Sequence, residues 1–393
     1  MRVGAKILGV IEQCCVDLHA RRRRALVDAV AALLECGRVV AASVGRAVAI
    51  RTSEKHGIKR IDRLLGNTRL HTQLLSIYRR HTEHLIGALR NPIVLVDWSQ
   101  IGNEMCMLKA VLALRGRGAP LYAECHRLSA NGSPAVQRKF LKRLQQILPP
   151  DCVPVVVTDA GFKQPWTAAV RALGWEFVTR VRGRTAVRAD CYSDWSLAKN
   201  LALNARAKLC DMPRAEINVH HPVRCRLVRW DGRSRRARKR PTERGRRIRA
   251  RRAVRGAHEP WLLATSLVSD ATDVVAAYEL RMQIEQSLRD DKTLAGGWGL
   301  NDIGTRSCSR VNVQLLLVAL ATSAALLAGI AAEQTGLARR YQANTERRRR
   351  VLSLVALGRR VLATIDLPKR VIVDAITWLR DHMPQLNWLF ACF

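Results

Sequence analysis

Ile93-Val94-Leu95-Val96-Asp97 is the stretch on which the fold turns: four apolar residues, three of them β-branched, preceded by Pro92 and closed by a carboxylate. A short apolar run without helical spacing reads as a strand buried on both faces, and it places Asp97 at the strand's end. Met107–Leu114 and Leu121–Leu128 read as two further strands around the turn-prone Arg115-Gly116-Arg117-Gly118-Ala119-Pro120. Val136–Leu148 has the spacing of an amphipathic helix. Val153–Thr158 repeats the opening motif, a buried run delivering an acid, Asp159, followed by Gly161. Gln164–Leu173 reads as helix and Glu176–Val181 as strand. The order strand, strand, strand, helix, strand, helix, strand predicts an α/β domain over 91–183 with an Asp at the ends of two separate strands.

Outward from this block the pattern changes. Residues 1–90 read as helical, with apolar spacing in Ala25–Cys36 and Thr72–Leu89 and Arg21–Arg24 in a solvated segment before the first of these. Lys59–Asn67 reads as a short basic helix closed by Gly66 and Asn67 in a left-handed cap. Lys59, Arg60 and Arg63 are its candidate DNA contacts, and a helix-turn-helix and a plain helical bundle both fit. Residues 184–270 read as a β-rich insertion with strands at Glu216–Val219, Arg224–Trp230 and Trp261–Leu267. Between the last two strands, Arg233–Arg255 holds 13 Lys or Arg in 23 residues, a segment that seeks a polyanion, with Arg235, Arg236, Arg238, Lys239 and Arg240 as candidate contacts. Residues 273–293 read as one helix and 271–335 as the second part of the α/β domain. The chain from 310 to the end reads as helical, with 336–393 a C-terminal region suited to dimerisation. Leu315–Ala332 has the length of a membrane span, but its Ala, Thr322, Ser323 and Gly329 favour a buried core helix, and no membrane association is expected.

Composition narrows the partner. The 393 residues carry a formal net charge of +35, with 48% hydrophobic residues, so this is a folding chain that a polyanion must neutralise. Nucleic acid is the natural one. The 11 Cys are odd in number and form no CxxC pair, which argues for reduced, intracellular thiols rather than a disulfide framework or zinc site, and hence for a cytoplasmic protein. His220-His221 and Cys125-His126 lack further ligands at metal spacing, and Gly296-Gly297-x-Gly299 follows a helix rather than opening one, so it reads as a turn.

The chemistry is carried by the helix that follows Asp273. Tyr278, Arg281, Glu285 and Lys292 fall at offsets of 3, 7 and 14 and share one face of a continuous helix, within a sector of roughly 60°. Phosphoryl transfer on DNA needs an activated hydroxyl and a stabilised leaving oxygen, which two hard cations can supply, and such cations take carboxylate oxygens. Asp97, Asp159 and Glu285 are the candidate catalytic and metal-binding set. Arg281 and Lys292, supported by Tyr278, are candidate phosphate binders.

The spacing Tyr278-x2-Arg281-x3-Glu285-x6-Lys292 resembles the Tyr-Arg-Glu-Lys signature of the DDE cut-and-paste transposases of bacterial insertion sequences. Val94-Leu95-Val96-Asp97-Trp98-Ser99 and Val157-Thr158-Asp159-Ala160-Gly161-Phe162 resemble that family's two catalytic Asp segments, and Ala119-Pro120-Leu121-Tyr122 its third-strand motif. The likeness covers about 60–300 well. It implies an RNase H-like catalytic domain interrupted by a β-rich insertion and flanked by helical regions, with two Mg²⁺ (or Mn²⁺) per active site. It also implies double-stranded DNA, both element ends and target, as substrate, and a homodimer that pairs two ends. Similar enzymes pass through a hairpin and stack a flipped base on an insertion Trp; Trp175, Trp195, Trp230 and Trp261 are the candidates. The rival readings are a catalytically idle derivative, an RNase H-like nuclease of recombination or repair, and a structural RNA-binding protein.

Overall fold

The computed structural model describes residues 4–48, 53–114, 116–190, 194–203, 207–232, 259–294, 296–343, 345–346 and 350–384. The basic segment Arg233–Arg255, with Arg235, Arg236, Arg238, Lys239 and Arg240, lies outside them. The chain is mixed α/β and divides into two compact units, Met1–Pro154 with Met282–Gln385, and Val155–Arg281.

The first unit opens with five helices, α1 (Ala5–Gln13), α2 (Ala20–Cys36), α3 (Ala41–Ala47), α4 (Glu54–Leu65) and α5 (Thr68–Ile86). Arg21–Arg24 lie within α2, near its N-terminus. The left-handed cap expected at Gly66 is absent, since Gly66 has φ −89°. Asn67 instead opens α5, its side chain accepting a hydrogen bond from the Leu70 N–H at 2.9 Å.

Three antiparallel strands follow, β1 (Ile93–Ile101), β2 (Met105–Leu112) and β3 (Ala119–Arg127), with β2 central. Every residue of β2 is buried. The β1 strand does not stop at Asp97: it runs on to Ile101, and Asp97 marks the point where burial gives way to partial exposure. Pairing with β2 out to Ile101–Met105 explains the extension, because hydrogen bonding to a central neighbour holds polar residues in a strand that hydropathy alone ends early. Helix α6 (Pro134–Ile147) comes next, and its Arg143 forms an ion pair with the buried Glu124 of β3.

The returning chain adds α10 (Met282–Lys292), α11 (Cys308–Gln334), α12 (Leu354–Thr364) and α13 (Lys369–Asp381), after the three helices of the second unit described below. Helix α11 is apolar and long enough to cross a membrane, yet its most apolar window is wholly buried, with α2, α5, α12, α13 and β3 packed around it. A Cβ on Gly358 would stand 1.7 Å from the Ala325 carbonyl, and one on Gly329 2.0 Å from that of Leu354. The two glycines therefore let α11 and α12 meet backbone to backbone.

Among the described residues the second unit holds seven sheet strands, in the order β4-β5-β10-β9-β8-β6-β7. It comprises β4 (Val155–Thr158), β5 (Glu176–Val181), β6 (Ala186–Ala189), β7 (Ser196–Leu197), β8 (Leu209–Ile217), β9 (Val223–Trp230) and β10 (Trp261–Thr265). Only β4 and β5 pair in parallel; the others are antiparallel. The insertion strands thus extend the β4–β5 pair through β10. Of the strand expected at Glu216–Val219, Glu216 and Ile217 close a nine-residue strand, β8, whose register shifts between Met212 and Ala215 to absorb Pro213, and Asn218 leaves it with φ 70°. Helices α7 (Gln164–Ala172), α8 (Ala198–Leu203) and α9 (Ala271–Glu279) complete the unit.

Candidate functional site

The continuous helix expected over 273–293 is two helices. Its hydrogen bonding tightens at Leu280 and Arg281, where the Arg281 N–H reaches back to Tyr278 O at 3.0 Å, a three-residue step. Tyr278 and Arg281 therefore belong to the α9 side of the break, and Glu285 and Lys292 to α10.

In the first unit, α10 packs on β1, the strand of Asp97. Its buried face is Gln283, Ile284, Ser287, Leu288 and Asp291, three polar residues among five. Each polar group has a partner in or just after β2. The Leu114 N–H donates to Gln283 Oε1 at 3.0 Å, and Gln283 Nε2 donates to Leu114 O. Lys109 Nζ donates to Ser287 Oγ at 2.9 Å and lies 2.5 Å from Asp291 Oδ2, both charges 3% exposed. Next to them, Arg117 pairs with Asp290. Glu285 and Lys292 stand at the rim of this face, about 20° apart around the helix, and both are half-buried. Asp97 is likewise half-buried, with Oδ1 accepting the Trp98 N–H at 2.8 Å.

In the second unit, Asp159 follows β4 directly, as read from the sequence. Its Oδ1 accepts the Gly161 N–H at 2.8 Å, and a Cβ on residue 161 would come 2.9 Å from that oxygen. A side chain at 161 would oblige the carboxylate to shift. Tyr278 is buried against Trp261, ring centroids 4.9 Å apart, with Arg281 5.8 Å from the Tyr ring centre. Burial raises the Tyr278 phenol above its ordinary pKa, with Arg281 and Arg180 opposing and Asp159 reinforcing that shift. A second guanidinium, Arg180 of β5, thus shares the neighbourhood. Its Nη2 is 3.5 Å from Glu259 Oε2, and its buried Nε makes no hydrogen bond.

Among the described residues no group of three His, Cys, Asp or Glu side chains stands assembled to hold a metal ion. Lys59 and Arg63 are exposed on α4, whereas Arg60 is 2.5 Å from Asp28. Of the candidate tryptophans, Trp175 is buried in the core; Trp195 and Trp230 are half-buried and covered by the cations of Arg188 and Lys208. Cys125-His126 is packing: the Cys125 N–H donates to Asn312 Oδ1 at 2.7 Å, and His126 stands 3.5 Å from Glu124. Gly296 and Gly299 take left-handed φ in a turn.

Residues 92–323, well over half of the chain and containing all three candidate carboxylates, match the family model of the transposase DDE domain. The chain belongs to the transposase DDE-domain family. No curated protein matches the sequence. The family implies an enzyme that cuts and joins DNA. Two residues of this DDE transposase domain escaped the sequence reading, Lys109 and Arg180. Each is a cation inside a predicted strand, Lys109 the single charge of its strand and Arg180 the one charge within Phe177–Val181, and that interruption of an apolar run was the available signal.

Proposed function

We propose that the protein is a transposase that cuts DNA at the ends of an insertion sequence and joins them to target DNA, with an RNase H-like catalytic domain. Asp97, Asp159 and Glu285 are the cation ligands in this reading, for two Mg²⁺ or Mn²⁺. Their donor chemistry fits, since all three are carboxylates, the ligands that hard cations take, and all three are half-buried. Asp97, Asp159 and Glu285 would hold these cations, whose chemistry there would be activation of the attacking hydroxyl and stabilisation of the departing oxygen. Water first opens a phosphodiester at the element end and frees a 3′-hydroxyl. That hydroxyl then attacks a phosphorus in the other strand or in target DNA, displacing a new 3′-oxygen.

The chain's own residues position the DNA. Arg281 and Lys292 hold backbone phosphates beside the cut. Tyr278, wedged against Trp261, gives Arg281 a fixed platform. The N-terminal helices, through Lys59, Arg60 and Arg63, and the segment containing Arg235, Arg236, Arg238, Lys239 and Arg240 take flanking DNA. Two ends need two active sites, so a homodimer is proposed, with 336–393 at its interface, acting in the cytoplasm at the nucleoid.

The observation that carries this reading is the family match spanning all three carboxylates, with α10 packed on the strand of Asp97. The test is cleavage of duplexes bearing the inverted repeats that flank the gene, with Mg²⁺. Specific nicking by the wild type, lost in Asp97→Ala while duplex binding persists, supports it. Preference for RNA over these duplexes, or flanking DNA with no inverted repeats bounded by direct duplications, overturns it.

A further inference from the structure

A helix held on a sheet by oil-like contacts alone can rotate about its axis at little cost, because apolar burial has no direction. Hydrogen bonds and ion pairs do have direction, and a buried charge must keep its partner. Helix α10 is attached mainly in the second way, and its central latch is one β2 side chain. In the register of the β1–β2 pair, Lys109 stands directly across from Asp97. Opposed residues project from the same face of a sheet, with Cβ atoms about 5 Å apart. From that position Lys109 reaches Ser287 and Asp291, respectively two and six residues beyond Glu285 on the same helix.

We infer that Lys109 and Asp291 are positioning residues: their buried pair sets the rotation of α10 over β1, and so the direction in which Glu285 is presented relative to Asp97. The inference rests on the proposed roles of Asp97 and Glu285. Lys109 touches neither DNA nor cation in this scheme; it acts through the helix. The pair costs more to bury than an apolar contact of equal size and adds little stability over one, so its use here is orientation.

The test replaces both partners together by apolar residues of similar length, Lys109→Met with Asp291→Leu. Local net charge is then unchanged, so any change in cation requirement reports geometry rather than electrostatics. Replacing a buried pair in this way is often neutral for folding, and thermal melting checks that here. Asp291→Glu, which keeps the pair with one added methylene, serves as the conservative comparison. Two readouts are taken, Mn²⁺ affinity from the free-ion paramagnetic resonance signal, and the Mn²⁺ concentration giving half-maximal nicking of the inverted-repeat duplex. The expected result is a double variant that melts with the wild type but binds Mn²⁺ at least tenfold more weakly and needs correspondingly more for nicking, with Asp291→Glu partly restored. A double variant that melts normally and matches the wild type in both readouts overturns the inference and leaves the transposase reading intact. If the wild type binds Mn²⁺ yet cuts no end duplex, the transposase reading fails, while weaker Mn²⁺ binding by the double variant still upholds the positioning role. Should the double variant not fold, Lys109→Gln with Asp291→Asn, which also leaves the local net charge unchanged, is read the same way. Mn²⁺ binding by the wild type that is indifferent to Asp97→Ala and Glu285→Ala overturns both.

Discussion

Helices α9 and α10 are consecutive in the chain and opposite in what they bury. Helix α9 hides Val274, Val275, Ala277 and Tyr278; α10 hides Gln283, Ser287 and Asp291 alongside Ile284 and Leu288. The first is held by area removed from water, which rewards contact whatever its angle. The second is held by groups that lose their partners if the helix turns or slides. The contrast teaches that the polar attachment belongs to the helix with the candidate ligand, where orientation matters more than adhesion.

The largest effect that can break this contrast is at the carboxylates themselves. Asp97→Ala or Glu285→Ala removes a proposed cation ligand, and the loss of several kcal/mol of transition-state stabilisation corresponds to about a thousandfold or more in cleavage rate. Binding of end duplexes, measured by gel shift without divalent cation, is expected to stay within about threefold. Cleavage by either variant at near wild-type rate means that α10 carries no ligand, and its polar face then needs another explanation.

The two attachments are next compared directly. Gln283→Ala leaves the buried Leu114 N–H and C=O without their side-chain partners and is expected to lower stability by about 2–4 kcal/mol. Val274→Ala deletes two buried methyls from α9 and is expected to cost about 1–3 kcal/mol. The decisive quantity is the residual cleavage rate at a temperature where both variants are folded. It should fall at least tenfold in Gln283→Ala and remain near wild type in Val274→Ala. Equal rates show that both helices are simply glued down.

Much of this was legible in the sequence, and what was not has identifiable physical causes. The apolar runs before Asp97 and Asp159 gave two strands, because a buried strand needs nothing but β-branched residues without helical period. Gly161 beside Asp159 was noticed, and its reason is now visible in the carboxylate it leaves room for. The break between α9 and α10 was invisible, since Leu280 and Arg281 are ordinary helix formers and neither Gly nor Pro marks the site. The inner face of α10 misled for a related reason: hydropathy assigns Gln, Ser and Asp to solvent, and only the partners on β2 reveal that these three are inside. Asp97 was placed at a strand end because Trp98-Ser99-Gln100 are less apolar, although β2 keeps them paired.

A third polar latch lets pH sharpen the comparison. His81 of α5 is buried, its Nε2 facing Pro120 O of β3 at 3.0 Å and Ser323 Oγ of α11 at 3.2 Å. Burial pushes its pKa down to about 4. Unfolded, the ring takes its proton near the ordinary value of about 6.5. Above that pH both states are neutral and the latch contributes in full. As pH falls from about 6.5 towards 4, only the unfolded state gains the proton, and stability is lost by up to about 3 kcal/mol. Chemical denaturation across that range should show the loss, and His81→Gln should remove most of the slope. A slope unchanged in His81→Gln means that other groups carry the acid sensitivity and this latch is not a titrating one.

The smallest effect concerns the α9 side. Arg281 lies over the Tyr278 ring, close enough to Arg180 that each cation disfavours the other, while Asp159 is the acid acting on Tyr278. A guanidinium held on an aromatic face is already ordered, so a phosphate that meets it need not freeze a long side chain. Arg281→Lys keeps the charge and gives up the planar fork and the stacking. The expected loss is about tenfold in end cleavage, equivalent to roughly 1.4 kcal/mol, with the salt dependence of duplex binding unchanged because the count of cations is the same. Arg281→Ala should lose more and should also flatten the salt dependence by about one counterion. If Lys substitutes fully, Arg281 serves only as charge. The tight turn at Leu280 and Arg281 is then a folding detail, and the orienting function stays with α10 alone.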